Sequence, residues 1–150
     1  TVTASSKATG SKPVNWLVSR IEDPASNQID FRYQVDGATF RHLPLTIAFN
    51  QHPTSAAAEP FTVHFDYEDR SDKRHFVDGL RRAESLRIEA LRIVASSGEL
   101  THHYLFEYSN PNNDNQSLLA SLSRQSVFGS ETRLLKTFEY QECQYRIWKD

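Results

Sequence analysis

The chain has a single cysteine, Cys143, among 150 residues, which excludes an internal disulfide and a thiolate zinc cluster. Cys143 reads as a small apolar residue rather than a nucleophile. Methionine is missing, the chain begins at Thr1, and no charged-then-apolar segment opens it; we expect a processed or excised piece of a larger protein. No stretch approaches the ~20 apolar residues that span a bilayer as a helix, so direct membrane insertion is not expected. Neither charge is in excess, with 17 Lys+Arg against 19 Asp+Glu. Nucleic-acid binders normally carry a basic surplus, so nucleic acid is not an expected partner. Glycine is scarce, at five residues, and forms neither a phosphate-binding loop nor a G-x-S-x-G elbow. Apolar residues make up only 38% of the chain. A mean hydropathy of −0.60 is lean for 17.2 kDa, although a chain of this length can hide roughly 70% of its unfolded surface.

Aromatic side chains are the compensating presence: nine Phe and six Tyr, which favour strands over helices. Residues 1–14 have little to bury and read as a disordered or linker lead; residues 15–150 read as one β domain. Residues 16–21 start a strand, Pro24-Ala25-Ser26-Asn27 is a turn cluster, and residues 29–35 alternate apolar and polar with period two. Together they predict a hairpin. Asp36-Gly37 supplies the next turn. Further strands are expected over 43–49, 61–67, from Leu86 to Ile93, over 100–108, 118–128 and 132–140, with a last one over 144–148. Residues 50–60 and 110–115 read as loops. The span 81–93 carries helix formers and a helical stripe, Leu80, Ala83, Arg87 and Leu91. Leu86, Ile88 and Ala90 fit period two instead, and a strand from Leu86 is the preferred reading, with room for a short helix within 75–84. The fold class expected is all-β, mainly antiparallel hairpins, ribbon or sandwich-like.

Candidate chemistry is thin. His102 and His103 are adjacent, so in a strand they face opposite ways. His42, His52, His64 and His75 show no ligand spacing, so no metal or other cofactor is expected. The carboxylates of residues 66–72 lack a glycine at a sharp turn and carry Arg70 among them, unlike a calcium loop. Arg70, Lys73, Arg74, Arg81, Arg82, Arg87 and Arg92 are interrupted by acids and read as an ion-paired face. No catalytic residue is expected, and the chain does not read as an enzyme.

One pattern stands out. Phe-x-Tyr occurs four times, at Phe31/Tyr33, Phe65/Tyr67, Phe106/Tyr108 and Phe138/Tyr140, at intervals of 34, 41 and 32 residues. Residues i and i+2 share a strand face, so each motif lays two rings side by side. Stacked on neighbouring strands, such rings would form an aromatic ladder. Trp16 and these eight residues are the expected structural repeat. If the rings form a core, Tyr67→Ala or Tyr108→Ala is expected to cost ~3–5 kcal/mol. The rival readings are a carbohydrate-binding β-sandwich with exposed Tyr and Trp as stacking platforms, and a small-molecule-binding barrel.

Five segments in order carry a resemblance. Residues 16–33 (WLVSRIEDPASNQIDFRY) look like the start of a Tyr-Asp (YD, Rhs-type) unit, with Ser26 standing where that pattern has Gly. Residues 63–72 (VHFDYEDRSD), 86–93 with 104–108 (LRIEALRI, YLFEY), 117–122 (SLLASL) and 136–140 (KTFEY) continue it. The series resembles the region between the SpvB-like virulence segment and the Rhs repeats of the B components of tripartite insecticidal toxin complexes. The resemblance implies a secreted bacterial β scaffold without catalysis. It would form part of the container or connector that delivers a toxic payload. Its implied partners are other segments of the same toxin protein and toxin-complex subunits.

Overall fold

The computed structural model describes residues 2–5, 16–37, 41–54, 60–70, 75–77, 80–82, 85–110 and 117–140. Within them the chain is all-β, as expected, with strands β1 (Val2–Ser5), β2 (Leu17–Glu22), β3 (Gln28–Val35), β4 (His42–Gln51), β5 (Phe61–Asp69), β6 (His75–Val77), β7 (Leu80–Arg82), β8 (Leu86–Ala95), β9 (Leu100–Ser109), β10 (Leu118–Gln125) and β11 (Thr132–Thr137). Nine of these make one antiparallel sheet in the order β1-β2-β3-β4-β5-β8-β9-β10-β11, and β6 pairs with β7 apart from it. Apart from the inserted β6–β7 hairpin, order in the sheet follows order in sequence. Every connection is therefore a local one, the arrangement that short turns permit.

Two of the turns are built alike. Ser26 N–H donates to Asp23 O at 3.0 Å, and Asp23 N–H donates to Asn27 O at 3.1 Å. Gly98 N–H donates to Ala95 O and Ala95 N–H to Glu99 O, both at 2.9 Å. These are three-residue hairpin loops whose third residue is left-handed, with φ of 67° at Ser26 and 86° at Gly98. Asp23 reinforces the first: its carboxylate accepts from the N–H groups of Ala25 (2.8 Å) and Asn27 (2.9 Å) and from the Asn27 amide (2.7 Å). Those bonds hold the Asp23 carboxyl below its ordinary pKa, Asn27 contributing most.

The register sorts side chains onto two faces. Phe31, Ile47, Val63, Ile93 and His102 are paired in succession across β3, β4, β5, β8 and β9. Phe49, Phe61 and Ala95 form a second row on that face, and Phe65, Leu91 and Tyr104 a third. The opposite face carries the row Arg32, Thr46, His64, Arg92, His103 and Gln125. Antiparallel sheets commonly bury one such face against a second layer. Here each described strand touches only its neighbours in the sheet. Among the described residues the one buried apolar side chain is Ala90, 4% exposed, and no large side chain is fully buried. The apolar face is thus half-buried by its own neighbours and open above.

Several expectations change. Within 75–84 the described residues form the paired strands β6 and β7, not a helix. Val2–Ser5, inside the expected linker lead, pairs with β2, so that stretch is not wholly a free lead. No second sheet packs as in a sandwich among the described residues; the ribbon alternative is the one observed. Cys143, the strand expected over 144–148 and most of the 110–115 loop lie outside the described residues.

Candidate functional site, a repeated tyrosine fork

The Phe-x-Tyr motifs occupy one equivalent place in four hairpins. The hairpins are β2–β3, β4–β5, β8–β9 and β10–β11, and the motif lies on the second strand of the first three and just after β11 in the fourth. Tyr33 Oη donates to Val18 O at 3.0 Å, Tyr67 Oη to Pro44 O at 2.7 Å, Tyr108 Oη to Ile88 O at 2.7 Å and Tyr140 Oη to Leu119 O at 2.9 Å. Each acceptor belongs to the first strand of the same hairpin.

The reason lies in the ladders. Within the hairpins, pairing begins at Arg20↔Asp30, Thr46↔His64, Ala90↔Leu105 and Ser121↔Thr137, in every case two residues after the acceptor. Immediately after each acceptor comes an extra residue, Ser19, Leu45, Glu89 or Ala120, unmatched in the ladder with the preceding strand. A bulge bends its strand and sharpens the local twist. It therefore leads the start of the first strand away from its hairpin partner and opens a fork. The carbonyl inside the fork lies beyond the ladder, and an unpaired, partly buried carbonyl is costly. The tyrosine ring fills the fork and its hydroxyl donates to that carbonyl.

On the far side, the same acceptor residue faces the tyrosine of the preceding hairpin: Tyr33↔Pro44, Tyr67↔Ile88 and Tyr108↔Leu119. Three positions further on, an aliphatic residue meets the motif phenylalanine: Phe31↔Ile47, Phe65↔Leu91 and Phe106↔Leu122. Successive motif rings are thus two strands, about 9–10 Å, apart, with an aliphatic side chain between them. They do not stack on one another, contrary to the aromatic ladder expected from the sequence. The stacked pairs are Phe49–Phe61, 5.8 Å between centroids, and His102–Tyr104, 6.1 Å. Trp16 stands outside the row, just before β2, and is 67% exposed.

Charges bind the strands on the polar face. Arg92 grips Asp66 with two bonds of 2.5 and 2.7 Å, and Arg20 grips Asp30 with two of 2.6 and 3.0 Å. The Arg92 bond is the main cause that holds the Asp66 carboxyl below its ordinary pKa. Arg87 reaches Glu68 at 2.6 Å, and its guanidinium lies 4.3 Å from the centre of the Tyr108 ring. Burial pushes the phenols of Tyr67 and Tyr108 above their ordinary value of 10.0, with Arg87 opposing this at Tyr108. The carboxylates of 66–68 are therefore engaged with arginines across the β5–β8 seam. Ser85 Oγ donates to Asp36 Oδ2, joining two buried polar groups from different inter-hairpin connections.

Nothing in this arrangement gathers reactive groups. Among the described residues no cluster of three His, Cys, Asp or Glu could hold a metal ion. The clefts are shallow; one near 450 Å³ lies at the turn end of β2–β3 and β4–β5 between Ile21, Ile29, Phe49 and Phe61. His102 Nδ1 is a buried ring nitrogen without a partner, on the apolar face. No family model, curated protein or solved structure matches the chain.

Proposed function

We infer that the chain is a structural wall segment, a scaffold rather than a catalyst, of the container or connector type found in SpvB-like and Rhs toxin-complex proteins. The observation that carries this reading is the fourfold tyrosine fork in a one-layer sheet. Repeating one hairpin device builds area instead of a site, and an uncovered apolar face is what a wall presents to its neighbours or contents. On this reading its partners are other segments of the same secreted protein and toxin-complex subunits, and its location is extracellular.

The test is cross-linking mass spectrometry on the protein expressed from its complete natural gene. Lys136, on the exposed edge strand β11, should cross-link to β segments outside residues 1–150. A Lys136 that links only within this chain, together with a glycan that quenches Trp16 fluorescence at micromolar concentration, would overturn the wall reading in favour of sugar binding.

A further inference from the structure

The seam between hairpins is formed three times to one rule, and a fourth half-seam stands open. In the closed seams the tyrosine strand meets a bulged strand with an aliphatic residue opposite the tyrosine: Pro44, Ile88 or Leu119. One extra residue follows, and a second aliphatic, Ile47, Leu91 or Leu122, lies three positions after the first. β2 keeps the rule against β1, with Val18 opposite Ala4, Ser19 extra and Ile21 opposite Val2. The ladder also runs past the tyrosine, through Val35↔His42, Asp69↔Leu86 and Ser109↔Leu118.

The last hairpin has every inner part of this device and none of the outer part. Tyr140 donates to Leu119 O, and Phe138 N–H donates to Ala120 O at 2.9 Å. No described strand lies on the outer side of β11, all six of its residues are exposed, and residues 138–140 take no ladder partner. Leu134 is 57% exposed, Leu135 45% and Tyr140 46%, whereas Tyr67 and Tyr108 are covered. An edge of this kind offers a row of outward N–H and C=O groups to any strand that fits.

We propose that the outer edge of β11 and residues 138–140 is the acceptor for one more antiparallel strand of the bulged type. Its occupant carries an aliphatic residue opposite Tyr140, one extra residue after it, and a second aliphatic residue opposite Phe138. The case is continuity: three seams in the same sheet already pair these residue types in this register. Strand direction selects against a head-to-tail second copy, because β1 runs parallel to β11 in the meander and would give a parallel pair. The proposal deepens the wall reading and rests on it for its biological purpose.

The probe is a synthetic peptide copying Leu86–Ala95, whose Ile88, Glu89 and Leu91 supply the required pattern. Amide hydrogen exchange is followed by NMR on the full 150-residue chain. Exchange of the outward amides of residues 137–139 should slow at least tenfold at saturating peptide. A peptide lacking the Glu89 equivalent should give less than a third of that protection. No slowing at residues 137–139, equal protection by the deleted peptide, or protection confined to β5 through exchange with the native β8 would each overturn the proposal. So would concentration-dependent dimerisation through β11 without peptide, which would make a second copy the occupant. A null peptide result removes this edge assignment alone; sugar binding with loss of the Lys136 cross-links removes the wall reading while leaving a positive peptide result standing.

Discussion

Replacing Tyr67 by phenylalanine deletes one oxygen and keeps the ring in its fork. The Pro44 carbonyl then loses a 2.7 Å donor at a point where the β4–β5 ladder has already ended at Thr46↔His64. A net hydrogen bond is worth about 0.5–1.5 kcal/mol, and a buried acceptor left without a partner costs about 1–3 kcal/mol. The fork is partly buried, so the expected loss is about 1 kcal/mol, or about 2–4 °C in Tm for a chain of this size. Tyr108→Phe should cost as much, since its bond to Ile88 O is equally short. Tyr140→Phe should cost less than about 0.5 kcal/mol, because that ring sits at the exposed edge and water can replace it. The forks are separated by two strands, so the Tyr67 and Tyr108 losses should add to within about 0.5 kcal/mol. Urea unfolding followed by far-UV circular dichroism measures all three. If Tyr67→Phe and Tyr108→Phe both leave the midpoint unchanged, the hydroxyls do not close the forks and the reasoning fails.

Four further outcomes are expected. Ser26→Gly should stabilise by about 0.5–1 kcal/mol, because Ser26 sits at positive φ where the matching turn uses Gly98; a loss of stability in thermal melts would contradict this. Tyr67→Ala should cost about 2–3 kcal/mol, below the figure for a full core, since the ring is only half-buried; a loss of 5 kcal/mol would mean a second layer covers it. The phenols of Tyr67 and Tyr108 are raised, so their contribution to stability is present below pH 10 and lost as pH climbs through the folded-state values. Absorbance at 295 nm should show these two tyrosines ionising last, together with unfolding. The depressed carboxyls of Asp23 and Asp66 act in the opposite direction: their contribution is present above about pH 4 and lost as pH falls through their folded values. A melting temperature that does not fall below pH 4 would count against those bonds.

The fold class and the hairpin order were legible because period-two alternation and turn residues agree along β3, β5 and β9. The Phe-x-Tyr repeat was legible as a spacing, and it marks the same strand position each time. The bulges were not. Ser19, Leu45, Glu89 and Ala120 share no chemistry, since a bulge asks only for one residue too many. Their effect is nevertheless present in the pattern. An extra residue turns strand alternation into an aliphatic spacing of three, as in Ile88 and Leu91, which imitates a helix. That is why the span 81–93 supports both readings. It also explains why Ala90, which alternation groups with Leu86 and Ile88, pairs instead with Asp66 on the polar face. The role of the tyrosine hydroxyls was hidden for the same reason: without the bulge there is no fork and no carbonyl to reach. Pairing of Val2–Ser5 with β2 depends on the sheet edge that β2 offers, which composition alone cannot register.

One continuous wall requires that the four hairpins share a single sheet, and cross-strand backbone NOEs in the intact chain test that most directly. Contacts should run without a break from Phe31 to Ile47, Ile47 to Val63, Val63 to Ile93 and Ile93 to His102. Contacts that persist within hairpins but vanish between β3 and β4 or between β5 and β8 would show separate units and contradict the wall.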